Sequence, residues 1–285
     1  MNELNQVIAD IVEPEIAKYQ NLGVVVGVRQ ADRTSILGFS RTGSTGQCPD
    51  GTTLFEIGSV TKLFTTTILA CLVNEGAIAL DDPVRDFLPE LPQFPQEITL
   101  RHLATHTSGL PRLPRNIWRS MLKNWRNPYA AYTTENLYAN LKRYKQVKGL
   151  GKVSYSNLGM GLLGHLLEKK TQVAYDRLVR QYITDPLALT DTAIALTDEQ
   201  QQRLAPGHTF DGKITSNWDI PTLAGAGALR STVQDLLIFL AATLDTTIPL
   251  LSSAFQLCRQ THVPLSEESD SSSLVSSKIC FSMST

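Results

Sequence analysis

Three observations predict an α+β domain for this sequence. Two β-rich runs, "GVVVGVRQ" and "TSILGFSR", are separated by "ADR", which predicts an antiparallel hairpin near the start of the chain. Behind the hairpin, apolar residues recur at helical spacing from about Gly58 until Gly76 and predict a buried helix. From about 80 to about 210 the pattern is helical and broken by Pro and Gly, which predicts a helical lobe inserted among the sheet elements.

The first residues predict an amphipathic helix and not a signal peptide. "MNELNQVIADIVEPEIAKYQ" alternates apolar and charged residues, and it lacks a basic segment followed by an apolar run. No stretch elsewhere sustains the roughly 20 apolar residues that a membrane span needs. We therefore expect a cytoplasmic location, or a periplasmic one if a leader was removed, and no membrane partner.

The last elements are a helix and a tail. "VQDLLIFLAATL" predicts an apolar helix, whereas the residues from 266 onward are nearly half serine and show no periodic pattern. Such a composition cannot offset the entropy lost on ordering, so we expect disorder there. The predicted organisation is one domain over residues 1–265, with the helical lobe at about 80–210, and a tail over 266–285.

Composition and charge favour a small-molecule or short-peptide partner. The 285 residues are 42% hydrophobic and carry a formal net charge of -1. A large core can form, and the net charge gives no reason to expect a nucleic acid or an anionic membrane as partner. The four cysteines form no CxxC motif and no Cys/His cluster. We therefore expect no metal site.

A serine and a lysine stand at the start of the predicted buried helix. In "GSVTKLF", Ser59 and Lys62 are three residues apart and share one helix face. A lysine whose pKa is lowered by burial or by a nearby cation can take the serine proton, and the N–H groups at the helix start can bind an oxyanion. The alternative is that Ser59 caps the helix and Lys62 is solvated. An isolated SxxK favours that alternative, and a second copy, Ser120 with Lys123, shows how common the motif is.

Tyr155 and Asn157 form a second motif, Tyr-x-Asn, directly before another apolar helix. A phenol beside a lysine can shuttle a proton, and a carboxamide can bind a substrate carbonyl and fix the lysine amine. Asn157 could also be only an N-cap, and "YQN" and "YAN" elsewhere match the same pattern. A catalytic site is indicated by the combination of the two motifs, because each of them stands at the start of a predicted buried helix.

The sequence resembles the serine β-lactamase and penicillin-binding protein superfamily, most closely its class C β-lactamase-like branch. The segments that carry the resemblance occur in the family's order: "FEIGSVTKLFT", "LDDPVRDFLPEL", "ITLRHLATHTSGLP", "VSYSNLGMGLLG" and "AGAGALRSTVQDLLIFL". The resemblance implies a β-lactamase/transpeptidase-like α+β fold with the active site between the sheet and the helical lobe. It implies that Ser59 is the acylated nucleophile, Lys62 its base, Tyr155 the proton shuttle and Asn157 a contact to the substrate amide. The implied function is a serine hydrolase that forms an acyl-enzyme with a β-lactam, a small ester or a D-amino-acid peptide.

One part of the family pattern is missing from the sequence. The family closes its site with Lys-Thr-Gly or His-x-Gly on a late strand, followed by two strands and a helix, and we find none of these after Leu244. "SSKICF" lacks the hydroxyl residue and the glycine, and "RTG" at Arg41–Gly43 lies at the opposite end of the sequence. We therefore expect a truncated chain with an incomplete sheet, an exposed apolar face on the Ser59 helix and an exposed sheet edge through which it self-associates. The alternative function is a weakly active or non-catalytic homologue that binds or is acylated without efficient turnover.

Three other patterns point to functions that we consider and set aside. "GMGLLG" spells a dinucleotide fingerprint but lies in a leucine-rich helical run, so we expect no cofactor. His102 and His106 have no carboxylate between them, and His106 is predicted to be a hydrogen-bonding loop residue. The segment 112–152 has ten basic residues, one acidic residue and six aromatics, a composition that could bind single-stranded nucleic acid. In the family this region walls the mouth of the active site, so we interpret it as a lid that attracts an anionic substrate carboxylate.

Overall fold

The computed structural model describes residues 3–19, 22–30, 33–40, 47–209, 213–244 and 247–260. Its α-helices are α1 (Glu3–Ile16), α2 (Thr61–Asn74), α3 (Leu100–Ala104), α4 (Trp118–Lys123), α5 (Thr134–Leu141), α6 (Asn157–Thr171), α7 (Tyr175–Val179), α8 (Asp185–Leu187), α9 (Asp198–Gln202), α10 (Val233–Leu244) and α11 (Pro249–Arg259). Its strands are β1 (Val24–Gln30), β2 (Arg33–Phe39), β3 (Phe55–Glu56), β4 (Gly207–His208), β5 (Ile214–Thr215) and β6 (Arg230–Ser231). The predicted tail over 266–285 and the "RTG" segment lie outside the described residues.

The predicted hairpin is confirmed. Strands β1 and β2 pair antiparallel from Val24 opposite Phe39 to Gln30 opposite Arg33. An isolated two-stranded hairpin is marginally stable, so helices must cover it. Helix α1 packs on it through a small apolar cluster that includes Phe39, and α10 lies so close that a Cβ on Gly27 would stand 2.5 Å from a methyl of Val233. In the described part of the chain no further strand pairs with this hairpin.

The apolar helix predicted between Gly58 and Gly76 is confirmed as α2, and Gly76 ends it with a φ of +71°. The expectation that its apolar face is exposed is wrong for the described residues. Its side chains Phe64 and Ile68 are fully buried, and among its large apolar side chains only Leu63 is exposed. The reason is a helix that we did not predict, α11, which packs against α2.

Helix α11 corrects the sequence prediction, in which we expected no helix after Leu244. Its signals are ordinary ones: a proline at the first helical position, Pro249, and the buried residues Leu251, Ala254 and Phe255 at helical spacing. No single helix among the described residues is long and apolar enough to cross a membrane, although α10 and α11, whose directions differ by 80°, pass that test as a pair.

The longest helix of the region at 80–210 is α6, and it contains the "GMGLLG" segment. Its glycines allow a close approach to a 3-10 turn, Ala224–Ala226. A Cβ on Gly161 would lie 2.6 Å from the Leu223 Cβ, and one on Gly164 would lie 3.0 Å from the Gly225 backbone. These glycines therefore serve helix packing, and the packing holds the turn beside α2.

Candidate active site

A short strand pair fixes the backbone that carries Ser59. Strand β3 pairs antiparallel with β6, and the Ile57 N–H donates to the Leu229 carbonyl at 3.1 Å. Gly58 then adopts a φ of +47°, a left-handed conformation that glycine reaches without strain. The chain turns there into a 3-10 turn, Gly58–Val60, that leads directly into α2 and leaves Ser59 exposed.

The structure brings Ser59, Lys62 and Tyr155 into direct contact. The Lys62 Nζ donates to the Ser59 Oγ at 2.9 Å, and the Ser59 Oγ and the Tyr155 hydroxyl are 2.5 Å apart. Lys62 also donates to the carbonyl of Ala226 at 2.7 Å. The alternative interpretation, in which Ser59 only caps the helix and Lys62 is solvated, is wrong for both residues. Lys62 is only 6% exposed, and Ser59 makes no capping hydrogen bond through its side chain.

Burial decides the charge state of Lys62. Desolvation, and secondarily the positive charge of Arg112, lowers the pKa of Lys62 from 10.5 to about 7. A large fraction of the amines is therefore neutral near pH 7. A neutral amine 2.9 Å from a hydroxyl can accept its proton, which is what activation of the serine requires.

The ring of Tyr155 is surrounded by one aromatic and two basic side chains. The His106 ring lies 4.7 Å from the Tyr155 ring, and the Lys62 Nζ and the Arg112 Cζ lie 4.8 Å and 5.6 Å from its centre. His106 has a φ of 59°, and its Nδ1 accepts the N–H of Ser156 at 3.3 Å, which confirms the predicted hydrogen-bonding loop residue. Burial and the Lys62 charge lower the pKa of His106 to about 4, so its ring is neutral at pH 7.

Asn157 lies at the edge of this cluster. The N-cap of α6 is Ser156, whose Oγ accepts from the Gly159 N–H, so Asn157 is the first helical residue and not the cap. Its amide faces the hydroxyl of Tyr129, and its Oδ1 is buried without a hydrogen-bond partner among the described residues. Asn157 therefore does not fix the lysine amine. The Ala226 carbonyl does so, and Asn157 keeps an acceptor that a ligand N–H can use.

A family model described as Beta-lactamase matches residues 8–268. The chain belongs to the β-lactamase family. This β-lactamase-family chain is 30% identical over 206 residues to a "Beta-lactamase" of Yersinia enterocolitica, with 68% of this chain and 47% of the relative covered. It is 28% identical to the "D-alanyl-D-alanine-carboxypeptidase/endopeptidase AmpH" of Escherichia coli K12, with 70% of this chain and 51% of the relative covered. It thus spans about half the length of these two relatives.

Solved structures confirm the predicted superfamily and its class C-like branch. A class C β-lactamase from Rhodobacter sphaeroides is 29% identical at a TM-score of 0.76, with 87% of this chain and 68% of that chain covered. The "D-alanine Carboxypeptidase AmpC" from Burkholderia cenocepacia is 27% identical at a TM-score of 0.76, with 89% and 68% covered. The predicted β-lactamase/transpeptidase-like α+β fold is therefore also confirmed.

Sequence reasoning missed two contributors to the site of this β-lactamase-family chain. The first is the Ala226 carbonyl, which no motif encodes because it is backbone. Thr65 fixes the 3-10 turn that carries this carbonyl. The Thr65 Oγ1 donates to the Gly225 carbonyl at 2.8 Å and lies 2.6 Å from the Tyr175 hydroxyl. The second is Arg112, whose only signal was its place in the basic segment.

The second SxxK copy has a different environment. Ser120 is 2% exposed, whereas Lys123 is exposed at the end of α4, and no hydrogen bond joins the two side chains within the described residues. A buried hydroxyl with no base beside it cannot act as this kind of nucleophile. These residues therefore provide matched control positions for Ser59 and Lys62.

Replacing Lys62 with methionine should change how stability depends on pH. Between about pH 7 and pH 10.5 the unfolded wild-type chain holds the Lys62 proton and the folded chain does not. The wild-type free energy of unfolding should therefore rise with pH in this window relative to Lys62→Met, by at most about 1.4 kcal/mol per pH unit. Urea unfolding of both proteins at several pH values measures this difference, with Lys123→Met as the exposed control. A constant difference between wild type and Lys62→Met across the window would contradict the lowered pKa.

Proposed function

We propose that this chain is a serine hydrolase that forms an acyl-enzyme at Ser59. The observation that carries the proposal is the hydrogen-bonded set of Ser59, Lys62 and Tyr155, in which the lysine is buried and its pKa is about 7. The contacts support the roles proposed for these residues. The Lys62 amine lies beside the hydroxyl to be deprotonated, and the Tyr155 hydroxyl contacts the same oxygen from another direction.

Acylation would begin with transfer of the Ser59 proton to Lys62 while the Ser59 Oγ attacks the substrate carbonyl. The C–O bond forms, the carbonyl oxygen becomes an oxyanion, and the position of Ser59 at the start of α2 favours that negative charge. The proton passes through the Tyr155 hydroxyl to the leaving group as its bond to the acyl carbon breaks. Water then hydrolyses the Ser59 ester, which releases the acid and restores the serine hydroxyl.

The proposed substrates are a β-lactam, a small ester or a D-amino-acid peptide. Support comes from the names of the relatives, which include β-lactamases and D-alanine carboxypeptidases. Asn157 is proposed to bind the substrate amide, because its buried Oδ1 lacks a partner within the described residues. A second candidate function is acylation without efficient turnover.

Intact-mass measurement after incubation with a penicillin, a fluorophosphonate or p-nitrophenyl acetate tests the proposal. An adduct that forms with each reagent, together with continuous release of p-nitrophenol, is the result expected of a hydrolase. A penicillin or acetyl adduct that forms and persists without turnover would support the second candidate instead. Absence of an adduct with all three reagents would reject both functions.

A further inference from the structure

Arg112 is a cation at the site that the proposed acylation steps do not use. Its Cζ lies 5.6 Å from the centre of the Tyr155 ring, and the Tyr155 hydroxyl contacts the Ser59 Oγ. Its positive charge acts on Lys62 and also on the hydroxyl of Tyr129. The guanidinium therefore lies over the ring of Tyr155, whose hydroxyl contacts the nucleophile.

The backbone of Arg112 is anchored to α6. Its carbonyl accepts the N–H of Asn157 at 3.0 Å and that of Leu158 at 3.2 Å, at the end of α6 where helical N–H groups lack partners within the helix. The preceding carbonyl, that of Pro111, accepts from the Ser156 hydroxyl at 2.7 Å. The helix that follows Tyr155 thus fixes where the Arg112 side chain begins.

The guanidinium itself has no counter-ion within the described residues. Arg112 is exposed, and none of the ion pairs or side-chain hydrogen bonds of the described chain includes it. The neighbouring sequence offers few possible counter-ions for Arg112, because Glu135 is the only acidic residue between positions 98 and 157. By contrast, Arg101 on α3 forms a two-pronged pair with Asp81.

An unpaired guanidinium next to a buried lysine raises the energy of the site when Lys62 is protonated, because the two positive charges repel. A bound anion would relieve that repulsion. A planar guanidinium is also well suited to bind a carboxylate through two parallel hydrogen bonds. Burial raises the pKa of the nearby Tyr129 hydroxyl, so Tyr129 supplies no negative charge at pH 7 that would compete with such a ligand.

We propose that Arg112 is a specificity-determining residue that binds a carboxylate of the acyl donor while Ser59 attacks its carbonyl. This inference rests on the proposed function, and it narrows the substrates to acyl donors that carry a negative charge. The contact is made to the substrate and not to the reacting atoms. It should therefore act mainly through KM and through the choice between charged and neutral substrates.

Two pairs of esters test this role, each matched in size. The p-nitrophenyl monoester of succinic acid and p-nitrophenyl butyrate differ in charge on the acyl half, and 4-acetoxybenzoate and its methyl ester differ in charge on the leaving half. For wild type we expect a higher kcat/KM for the charged member of at least one pair. Arg112→Gln should reduce that preference about 10- to 100-fold through KM, and Arg112→Lys should restore part of it.

Arg119→Gln is the matched control, because Arg119 is an exposed arginine on α4 that also lies over an aromatic ring, that of Trp118. Arg119→Gln removes the same charge from the basic segment, and the preference for the charged ester should remain unchanged. Equal preferences in wild type and Arg112→Gln for both pairs would overturn the inference, as would an equal loss in Arg119→Gln. If Arg112→Gln does not fold, as judged by its melting curve, Arg112→Met takes its place.

Failure of the proposed role of Arg112 can be distinguished from failure of the proposed hydrolase function. If no ester turns over, the same comparison is made on the rate of acylation by intact mass. Acylation at equal rates with charged and neutral esters, unchanged in Arg112→Gln, rejects the role of Arg112 and leaves the proposed hydrolase standing. Absence of acylation in wild type rejects the proposed function and this inference with it.

Discussion

Replacing Ser59 with alanine should abolish covalent labelling of the protein by a penicillin or a fluorophosphonate. Ser59 is the hydroxyl that contacts both a buried lysine and a tyrosine, at 2.9 Å from the Lys62 Nζ and 2.5 Å from the Tyr155 oxygen. Removing the Oγ removes the atom that would form the acyl bond. The measurement is the mass of the intact protein after incubation, followed by peptide mapping of the wild-type adduct.

Ser120→Ala is the control for this experiment, because Ser120 opens the second SxxK sequence of the chain. Ser120 is buried and has no hydrogen bond to Lys123, so its replacement should leave labelling unchanged. An adduct mapped to Ser120, or equal labelling of wild type and Ser59→Ala, would show that the assignment of the nucleophile is wrong.

The parts of the fold that the sequence predicted correctly are those with local causes. The β1–β2 hairpin follows from two β-rich runs on either side of a short turn, and α2 follows from helical periodicity that ends at Gly76. The contact of Ser59 with Lys62 is likewise local, since an i, i+3 spacing places both on one helix face. The addition of Tyr155 to this pair is not local, and it rested on the family resemblance.

The parts that sequence reasoning missed depend on contacts between distant segments. The Ala226 carbonyl reaches Lys62 only because α6 packs tightly on the turn that carries it, and Gly161 permits that packing. The position of Arg112 depends on two N–H groups of α6 that its carbonyl accepts. Neither backbone groups nor such packing leave a pattern of side-chain types in one sequence.

Replacing Lys62 with arginine should slow acylation by about two to four orders of magnitude, the usual contribution of a general base. Arginine keeps a positive charge at this position, but its guanidinium does not lose a proton in the accessible pH range, so it cannot take the proton of Ser59. The experiment compares single-turnover acylation rates of wild type and Lys62→Arg, measured with a penicillin or p-nitrophenyl acetate.

The pH dependence makes this prediction specific to the base. The neutral amine is the active form, so the wild-type rate should rise about tenfold per pH unit below pH 7 and level off above the Lys62 pKa of about 7. Lys62→Arg should lack this rise, because its side chain stays protonated throughout. Lys123→Arg, at the exposed lysine of the second SxxK copy, should keep both the rate and the pH profile of the wild type. If Lys62→Arg were as fast as wild type, or rose with pH in the same way, another group would be the base. The lowered pKa of Lys62 would then reflect only its burial.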